Sequence, residues 1–185
     1  VTNNRISRHT GYGIYWVTGA ASNRIAANTV ISNAAGAYGL NVDSDGSDGN
    51  RIVANTFDGA GIAAGGILIA HGDGNLVTNN QIRGHTTYGV RLDGATPCNA
   101  NRVVRNVIRS NGSAGVYVNG DSIELNNITA NTINGRRYGD WGIRLADADR
   151  NTISNNTIFG HTNAAFNSAA IFFGAADANS NRFYA

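Results

Sequence analysis

The stretch NRIAANTV at residues 23–30, followed after a short turn by GLNV at residues 39–42, decides the fold because it recurs along the chain. Its general form is N-x-[IV]-x-x-N-x-[IVF], then a turn, then G-[ILV]-x-[VIL]. Later copies open at Asn50, Asn75, Asn101, Asn126 and Asn151. A phrase that returns after about 25 residues predicts a solenoid of stacked, nearly identical coils.

Four columns of apolar residues follow from aligning the copies. The first column is Val1, Ile25, Ile52, Val77, Val103, Ile128, Ile153 and Phe183. The second is Ile6, Val30, Phe57, Ile82, Ile108, Ile133 and Ile158. The third is Ile14, Leu40, Ile67, Val90, Val116, Ile143 and Ile171, and the fourth, two residues further on, is Trp16, Val42, Ile69, Leu92, Val118, Leu145 and Phe173.

These columns predict short β-strands, since the repeat is too short for two packed helices and helical spacing is not sustained. Period-two alternation turns the columns inward, where stacking buries a core that no single coil could bury. We therefore predict an all-β fold, a right-handed, single-stranded parallel β-helix of about seven coils of about 25 residues. Residues 1–185 form one domain, which we expect to be a segment of a longer solenoid.

Asparagine and glycine also form columns, and we interpret both as structural. One corner holds Asn4, Asn28, Asn55, Asn80, Asn106, Asn131 and Asn156. Asparagine tolerates a left-handed corner, and stacked amides can donate and accept hydrogen bonds along the solenoid axis. A second column, Gly13, Gly39, Gly66, Gly89, Gly115 and Gly142, is expected to mark a tight turn.

Composition excludes several classes of partner. The net charge is only +2, and the 14 cationic side chains, all arginine, are spread along the chain. That distribution argues against nucleic acid or an anionic membrane as the main partner. No apolar run approaches the ~20 residues that span a bilayer, so we expect no membrane insertion. Cys98 is alone, which rules out an internal disulfide.

The repeat resembles the parallel β-helix of pectate-lyase-like proteins, including alginate C5-epimerases and lyases, phage tailspikes and an accessory protein of nitrous oxide reductase. The resemblance covers essentially the whole chain and implies the fold, and activity varies within the fold. It implies a secreted, periplasmic or cell-surface protein that acts on an acidic polysaccharide. The chain lacks the Asp-Pro-His segment of alginate epimerases, because its single proline, Pro97, is followed by Cys98.

Chemistry in a solenoid must come from outward side chains, and the third strand of each coil carries the richest set. Its outward residues are Tyr15, Asn41, Leu68, Arg91, Tyr117, Arg144 and Phe172, about 4.8 Å apart from coil to coil. An aromatic corner precedes the strand at Tyr12, Tyr38, Tyr88 and Trp141. An edge of mainly acidic residues follows it at Asp43, Asp45, His71, Asp73, Asp93, Asp121, Asp147 and Asp149.

Arg91, Tyr117 and Arg144 lie on consecutive coils in this alignment and are the candidate catalytic residues, together with His71. Two flanking guanidinium groups are expected to lower the pKa of the Tyr117 phenol. By resemblance to uronate lyases and epimerases, Arg91 and Arg144 would hold the sugar carboxylate. Tyr117 would be the acid or base at C5, and His71 a second proton carrier. An ordinary solvated β-face also stacks arginine on tyrosine, so surface packing is the competing interpretation.

The remaining candidate residues are expected to bind substrate or a cation. The candidate substrate-binding residues are Tyr15, Tyr88, Asp93, Asn119, Tyr138, Trp141 and Asp147, among which Tyr138 and Trp141 offer rings for a sugar to stack on. No metal or other cofactor is required. Ca²⁺ is an option at Asp43, Asp45 and Asp48, three carboxylates in one loop.

Three function classes stay open. A carbohydrate-binding or carbohydrate-active β-helix, of lyase or epimerase type, is favoured by the arginine and aromatic face. A structural module such as a spike, fibre or surface repeat is favoured by the regular coils and short loops. The sequence shows no capping segment at either end of the solenoid, which suggests self-association through the end coils. A metal-handling accessory role is disfavoured by the absence of methionine and by the wide spacing of the His-Thr pairs at His9, His85 and His161.

Overall fold

The chain winds into three parallel sheets of seven strands each, which confirms the predicted parallel β-helix. The structure is a computed structural model that describes residues 1–17, 19–31, 33–94, 98–121, 123–136, 139–162, 169–174 and 180–184. Among these residues no helix is long and apolar enough to cross a membrane.

Each coil contributes one strand to each sheet. Sheet B contains β1 (Arg5–Ser7), β4 (Thr29–Ile31), β7 (Thr56–Asp58), β10 (Gln81–Arg83), β13 (Val107–Arg109), β16 (Thr132–Asn134) and β19 (Thr157–Phe159). Sheet C contains β2 (Ile14–Trp16), β5 (Tyr38–Val42), β8 (Gly65–Ile69), β11 (Tyr88–Asp93), β14 (Ala114–Asn119), β17 (Trp141–Ala146) and β20 (Ala169–Phe173). Sheet A contains β3 (Arg24–Ala26), β6 (Arg51–Val53), β9 (Leu76–Thr78), β12 (Arg102–Val104), β15 (Asn127–Thr129), β18 (Thr152–Ser154) and β21 (Arg182–Tyr184).

The register between coils is the one that the sequence predicts. In sheet C, for example, Ile14 pairs with Leu40, and the same column ends where Ile143 pairs with Ile171. Seven strands enclose six full turns, so the solenoid has about six turns of about 26 residues, where the sequence suggested about seven coils of about 25. The difference comes from counting strands instead of the intervals between them.

The four apolar columns form one continuous core along the axis. Most of their members are fully buried, and Phe57 is the largest of them. Cys98 belongs to the same core, where burial raises the pKa of its thiol to about 12. A thiol that stays protonated at neutral pH is a poor nucleophile and a poor metal ligand. Cys98 is therefore a packing residue.

Two asparagine ladders tie each coil to the next. The first ladder runs through Asn4, Asn28, Asn55, Asn80, Asn106, Asn131 and Asn156. The second runs through Asn23, Asn50, Asn75, Asn101, Asn126, Asn151 and Asn181. In both, the backbone N–H of one asparagine donates to the Oδ1 of the asparagine in the next coil. The structural interpretation of these residues is confirmed.

The left-handed corner, however, is not at the ladder asparagines, so that part of the prediction is wrong. The residue before each ladder asparagine has positive φ, for instance Ala27 (55°) before Asn28 and Leu125 (58°) before Asn126. The corner residue turns the chain, which leaves the next residue free to aim its amide along the axis. Asparagine is therefore required for its side-chain hydrogen bonds.

The glycine column also has a different cause from the predicted tight turn. These glycines do not have positive φ, but they lie against the next coil. A Cβ on Gly39 would lie 2.7 Å from Cδ1 of Phe57 and 2.8 Å from the carbonyl oxygen of Gly66. Because glycine has no side chain, the backbone next to the aromatic corner can pack directly against the inward residues of the second apolar column.

The His-Thr turn at His85 has a structural role. His85 is buried, and its Nδ1 lies 2.9 Å from Oδ1 of Asn111, which occupies the equivalent position of the next coil. Burial lowers the pKa of His85 to about 4 and also lowers the pKa of His161. Both imidazoles are therefore neutral in the folded protein at neutral pH.

Loss of the first ladder at one coil should destabilise the whole fold. Asn80→Ala leaves the backbone N–H of Asn55 without its acceptor and takes from Asn55 Nδ2 the acceptor in the next coil. It also removes the donor to Ile52 O and Thr78 O. We expect a loss of about 3 kcal/mol in the free energy of unfolding, measured by urea titration. The matched control is Asn79→Ala at the exposed corner before it, where other coils already carry alanine, and we expect a change within about 1 kcal/mol. Equal losses in the two variants would contradict the ladder's role.

Buried neutral His85 should make stability depend on pH. Its folded pKa of about 4 lies below the unfolded value of 6.5, so the unfolded chain takes up more protons between these values. Stability is complete above pH 6.5 and falls, by about 3 kcal/mol for this residue, as pH drops towards 4. His85→Asn should remove most of that slope in urea titrations at pH 7.5, 6 and 4.5, with a remainder from His161. An unchanged slope in the variant would refute the assignment.

Candidate functional site

The outward row of sheet C is assembled as the sequence predicts. Strand pairing places Tyr15, Asn41, Leu68, Arg91, Tyr117, Arg144 and Phe172 side by side on seven consecutive coils. We call this row, with the aromatic corner before it and the acidic edge after it, the outer face. The outer face runs along the axis, so a ligand could contact several coils at once.

Tyr117 lies between two arginines and next to a second ring. The guanidinium carbon of Arg144 is 4.8 Å from the centroid of the Tyr117 ring, and that of Arg91 is 5.7 Å away. Tyr88 stacks on Tyr117 with 4.9 Å between ring centroids. These contacts are cation–π and stacking interactions, so the competing interpretation, surface packing, describes part of what these residues do.

A chain of polar contacts connects four of the predicted site residues. The hydroxyl of Tyr117 donates to Oδ1 of Asn119 over 2.8 Å, and Nδ2 of Asn119 donates to Oδ1 of Asp93 over 2.6 Å. Asp93 forms a salt bridge with Arg91. The structure thus brings Arg91, Asp93, Tyr117 and Asn119 together, and their roles in catalysis or binding stay a prediction.

The predicted direction of the Tyr117 pKa shift is wrong. Burial raises the pKa of the phenol, and the favourable charges of Arg144 and Arg91 only partly oppose that effect. The guanidinium groups contact the ring, while the hydroxyl is held by Asn119. A phenol in this setting stays protonated at neutral pH, so Tyr117 is equipped to give a proton and poorly equipped to take one.

Arg144 is the cation of the outer face with the most open hydrogen-bonding capacity. Its guanidinium lies 4.6 Å from the Trp141 ring and 6.0 Å from the Phe172 ring. Among the described residues, no carboxylate forms a salt bridge with it. Rings on three sides make the arginine rigid and partly desolvated, which favours a bidentate anion.

Sequence reasoning missed two members of this group as site residues. Tyr38 is buried, and its side chain lies close enough to Arg91, two coils away, for the guanidinium to lower the Tyr38 pKa against the larger raising effect of burial. Phe172 stacks on Trp141 with 5.0 Å between centroids. Both were visible in the aligned columns, but only coordinates reveal which neighbouring coil each ring leans towards.

His71 belongs to a different cluster from Tyr117. Its Nδ1 is 3.3 Å from Asp45 and its Nε2 is 3.7 Å from Asp43, whose other oxygen accepts a hydrogen bond from Tyr15 over 2.9 Å. That hydrogen bond raises the pKa of Tyr15. The His71 cluster sits at the first three coils of the outer face, whereas Tyr117 is on the fifth. The predicted partnership of His71 with Tyr117 thus has no direct contact behind it.

The three carboxylates of the calcium prediction have separate partners. Asp43 and Asp45 face His71, while Oδ1 of Asp48 accepts the backbone N–H of Asp73 over 2.7 Å. Within the described part of the chain, no group of three or more His, Cys, Asp or Glu side chains is arranged to hold a metal ion. Calcium binding at this loop stays a prediction.

Asp147 and Trp141 lie near the downstream end of the outer face. Asp147 follows β17 at a residue with φ of 51°, on the same edge as Asp93. Tyr138 lies outside the described residues, so the predicted sugar-stacking role of its loop has no structural test. Trp141 is at the aromatic corner as predicted, directly against Arg144.

Comparison with known proteins places the fold. A family model described as a right-handed β-helix region matches residues 1–158. No curated protein matches the chain. A mutant of the periplasmic alginate epimerase AlgG is similar in structure, with a TM-score of 0.69 and 22% identity over 91% of this chain and 36% of that chain. AlgG itself gives a TM-score of 0.65 and 19% identity over 94% of this chain and 46% of that one.

These similarities confirm the resemblance at the level of the fold. The chain spans less than half the length of the AlgG structures that it matches, and identities near 20% show the fold alone. The family model, in contrast, covers most of the sequence. The chain therefore belongs to the right-handed β-helix family.

Proposed function

We propose that this chain binds an acidic polysaccharide along the outer face and acts on it as a uronate lyase or C5-epimerase. The observation that carries the proposal is Arg144, a rigid and partly desolvated cation without a described carboxylate partner, one coil from Tyr117. A carboxylate would supply the acceptor that the guanidinium lacks. The fold shared with AlgG, a periplasmic alginate epimerase, supports the same substrate class.

The surroundings of Arg144 suit a sugar better than an isolated anion. Trp141 and Tyr88 are half-buried and lie beside the two arginines. Aromatic rings bind the apolar faces of sugars, while polar groups such as Asp93 and Asn119 can bind their hydroxyls. An open face also admits the interior of a polymer, which a closed pocket would exclude. We place the protein outside the cytoplasm, secreted, periplasmic or at the cell surface, where such polymers lie.

The reaction that fits these groups begins with loss of the C5 proton of a uronate. Arginine at the carboxylate stabilises the negative charge that develops when that proton leaves. In an epimerase, a second group returns a proton to the opposite face of C5. In a lyase, the C4–O4 bond breaks instead, a C4–C5 double bond forms, and the departing oxygen takes a proton. Tyr117, held protonated, is suited to the proton-giving step of either reaction, and a second group within reach of C5 takes the first proton.

Removal of the Arg144 charge should weaken binding. Arg144→Gln keeps much of the side-chain length but loses the charge, and we expect affinity for oligomannuronate to fall about 10- to 100-fold in calorimetric titration. The control is Arg102→Gln, which removes one exposed positive charge from sheet A and should leave affinity within about twofold. Equal losses would indicate unspecific charge attraction. No binding of any polyuronate by the unaltered protein would contradict the proposal and favour the structural-module alternative.

Removal of the Tyr117 hydroxyl should separate catalysis from binding. Tyr117→Phe keeps the ring that supports Arg144, so affinity should change little, while turnover should fall about 100-fold or more. Lyase activity is followed by absorbance of the unsaturated uronate, and epimerase activity by deuterium entering C5 from heavy water. Full activity in the variant would refute the acid role.

Running both assays with added calcium and with EDTA tests the calcium prediction at Asp43, Asp45 and Asp48.

A further inference from the structure

From the second coil to the seventh, the outer face repeats every two coils, although the backbone repeats every coil. The second, fourth and sixth coils carry a ring at the corner and a polar residue in the row: Tyr38 with Asn41, Tyr88 with Arg91, and Trp141 with Arg144. The third, fifth and seventh carry a small residue and an apolar or aromatic one: Gly65 with Leu68, Ala114 with Tyr117, and Ala169 with Phe172.

A packing constraint produces this alternation. Each corner ring leans over the small residue of the next coil, so that a Cβ on Gly65 would overlap the ring of Tyr38. In the same way Tyr88 rests on Tyr117 beside Ala114, and Trp141 rests on Phe172 beside Ala169. Coils are about 4.8 Å apart, so a corner ring that leans over the next coil leaves no room for a second ring there. Tyr12, at the corner of the first coil, stacks on Tyr15 of its own coil instead.

The alternation sets the spacing of the cations. Arg91 and Arg144 occupy equivalent positions two coils apart, about 10 Å along the axis, with Tyr117 on the coil between them. Each guanidinium packs on the corner ring of its own coil, Tyr88 or Trp141. Asn41, the polar residue two coils before Arg91, is neutral and almost fully buried, so the series contains two cationic positions.

We propose that Arg91 and Arg144 bind two different carboxylates, those of rings n and n+2 of one linear 1,4-linked polyuronate that runs along the axis. This inference rests on the proposed function and identifies the class of polymer. In an extended polyuronate with equatorial links, each sugar ring advances the chain by roughly the distance between two coils. Every second carboxylate then points to the same side, so the distance between such carboxylates matches the two-coil distance between Arg91 and Arg144. The middle ring of the three then lies at the Tyr117 coil, between the two arginines.

This arrangement replaces the expectation that both arginines grip one carboxylate. The Tyr117 ring lies between the two side chains, with guanidinium carbons 5.7 and 4.8 Å from its centroid. Arg91 also keeps Asp93 as a salt-bridge partner, which holds its guanidinium on the fourth coil. A single carboxylate, with two oxygens on one carbon, is too small to engage both guanidinium groups across an aromatic ring.

The test is the dependence of affinity on chain length. Oligomannuronates of one to six rings are titrated calorimetrically into the unaltered protein, Arg91→Gln, Arg144→Gln and the double variant. We expect affinity to rise about tenfold or more between two rings and three, because three rings reach both arginines and the second contact becomes intramolecular. Each single variant should lose that rise and bind three rings no better than two. Arg51→Gln, on the exposed edge of sheet A, should keep it.

The outcomes separate this inference from the proposed function. If no uronate oligomer of any length binds, the proposed function fails. If oligomers bind but affinity grows without a step at three rings, or the step survives in both single variants, the two-carboxylate inference fails and the proposed function stands. A polyuronate with a three-fold screw offers a second check, since it turns carboxylates to one side only every third ring. Oligogalacturonates should therefore show no step at three rings.

Discussion

Each coil of this solenoid is held to the next by hydrogen bonds that converge on one amide oxygen. In the first ladder, the backbone N–H and Nδ2 of Asn55 both donate to Oδ1 of Asn80, at 2.8 and 3.0 Å. Because the contact is buried and repeated at every coil, a slip by one residue would leave a row of unsatisfied donors in the interior. The ladders therefore set the register, and the register decides which outward side chains become neighbours on sheet C.

The register also determines which side chains pack against one another on the outer face. Arg91, Tyr117 and Arg144 are separated by 26 and 27 residues in sequence, and only stacking in register places them side by side. The glycine column lets the corner approach the second column closely, which brings the corner rings over the sheet. The rings in turn fix the arginines by cation–π contact. A scaffold of amide hydrogen bonds thus orients cations that have no direct contact with it.

Much of the fold could be predicted from the sequence, because period and burial pattern are one-dimensional signals. The columns that start at Ile14 and Ile25, and the ladder that starts at Asn4, all appear with the predicted partners. The causes were harder to predict. The left-handed residue is Ala27 and not Asn28, since a repeat pattern gives positions but no dihedral angles. Likewise the pKa of Tyr117 rises because burial outweighs the arginines, and that balance depends on distances no alignment contains.

The shape of the outer face constrains what it can bind usefully. A shallow surface buries little of a single sugar, and one arginine–carboxylate contact in partial solvent contributes only about 1 to 3 kcal/mol. Specific affinity on such a surface requires several contacts made by one molecule, so that later contacts cost little additional entropy. A polymer with charges at a fixed repeat provides them if the protein repeats at the same spacing. The backbone repeats every coil, but the alternation of large and small corner residues makes the side chains of the outer face repeat every two coils. This longer repeat matches the distance between the carboxylates of such a polymer.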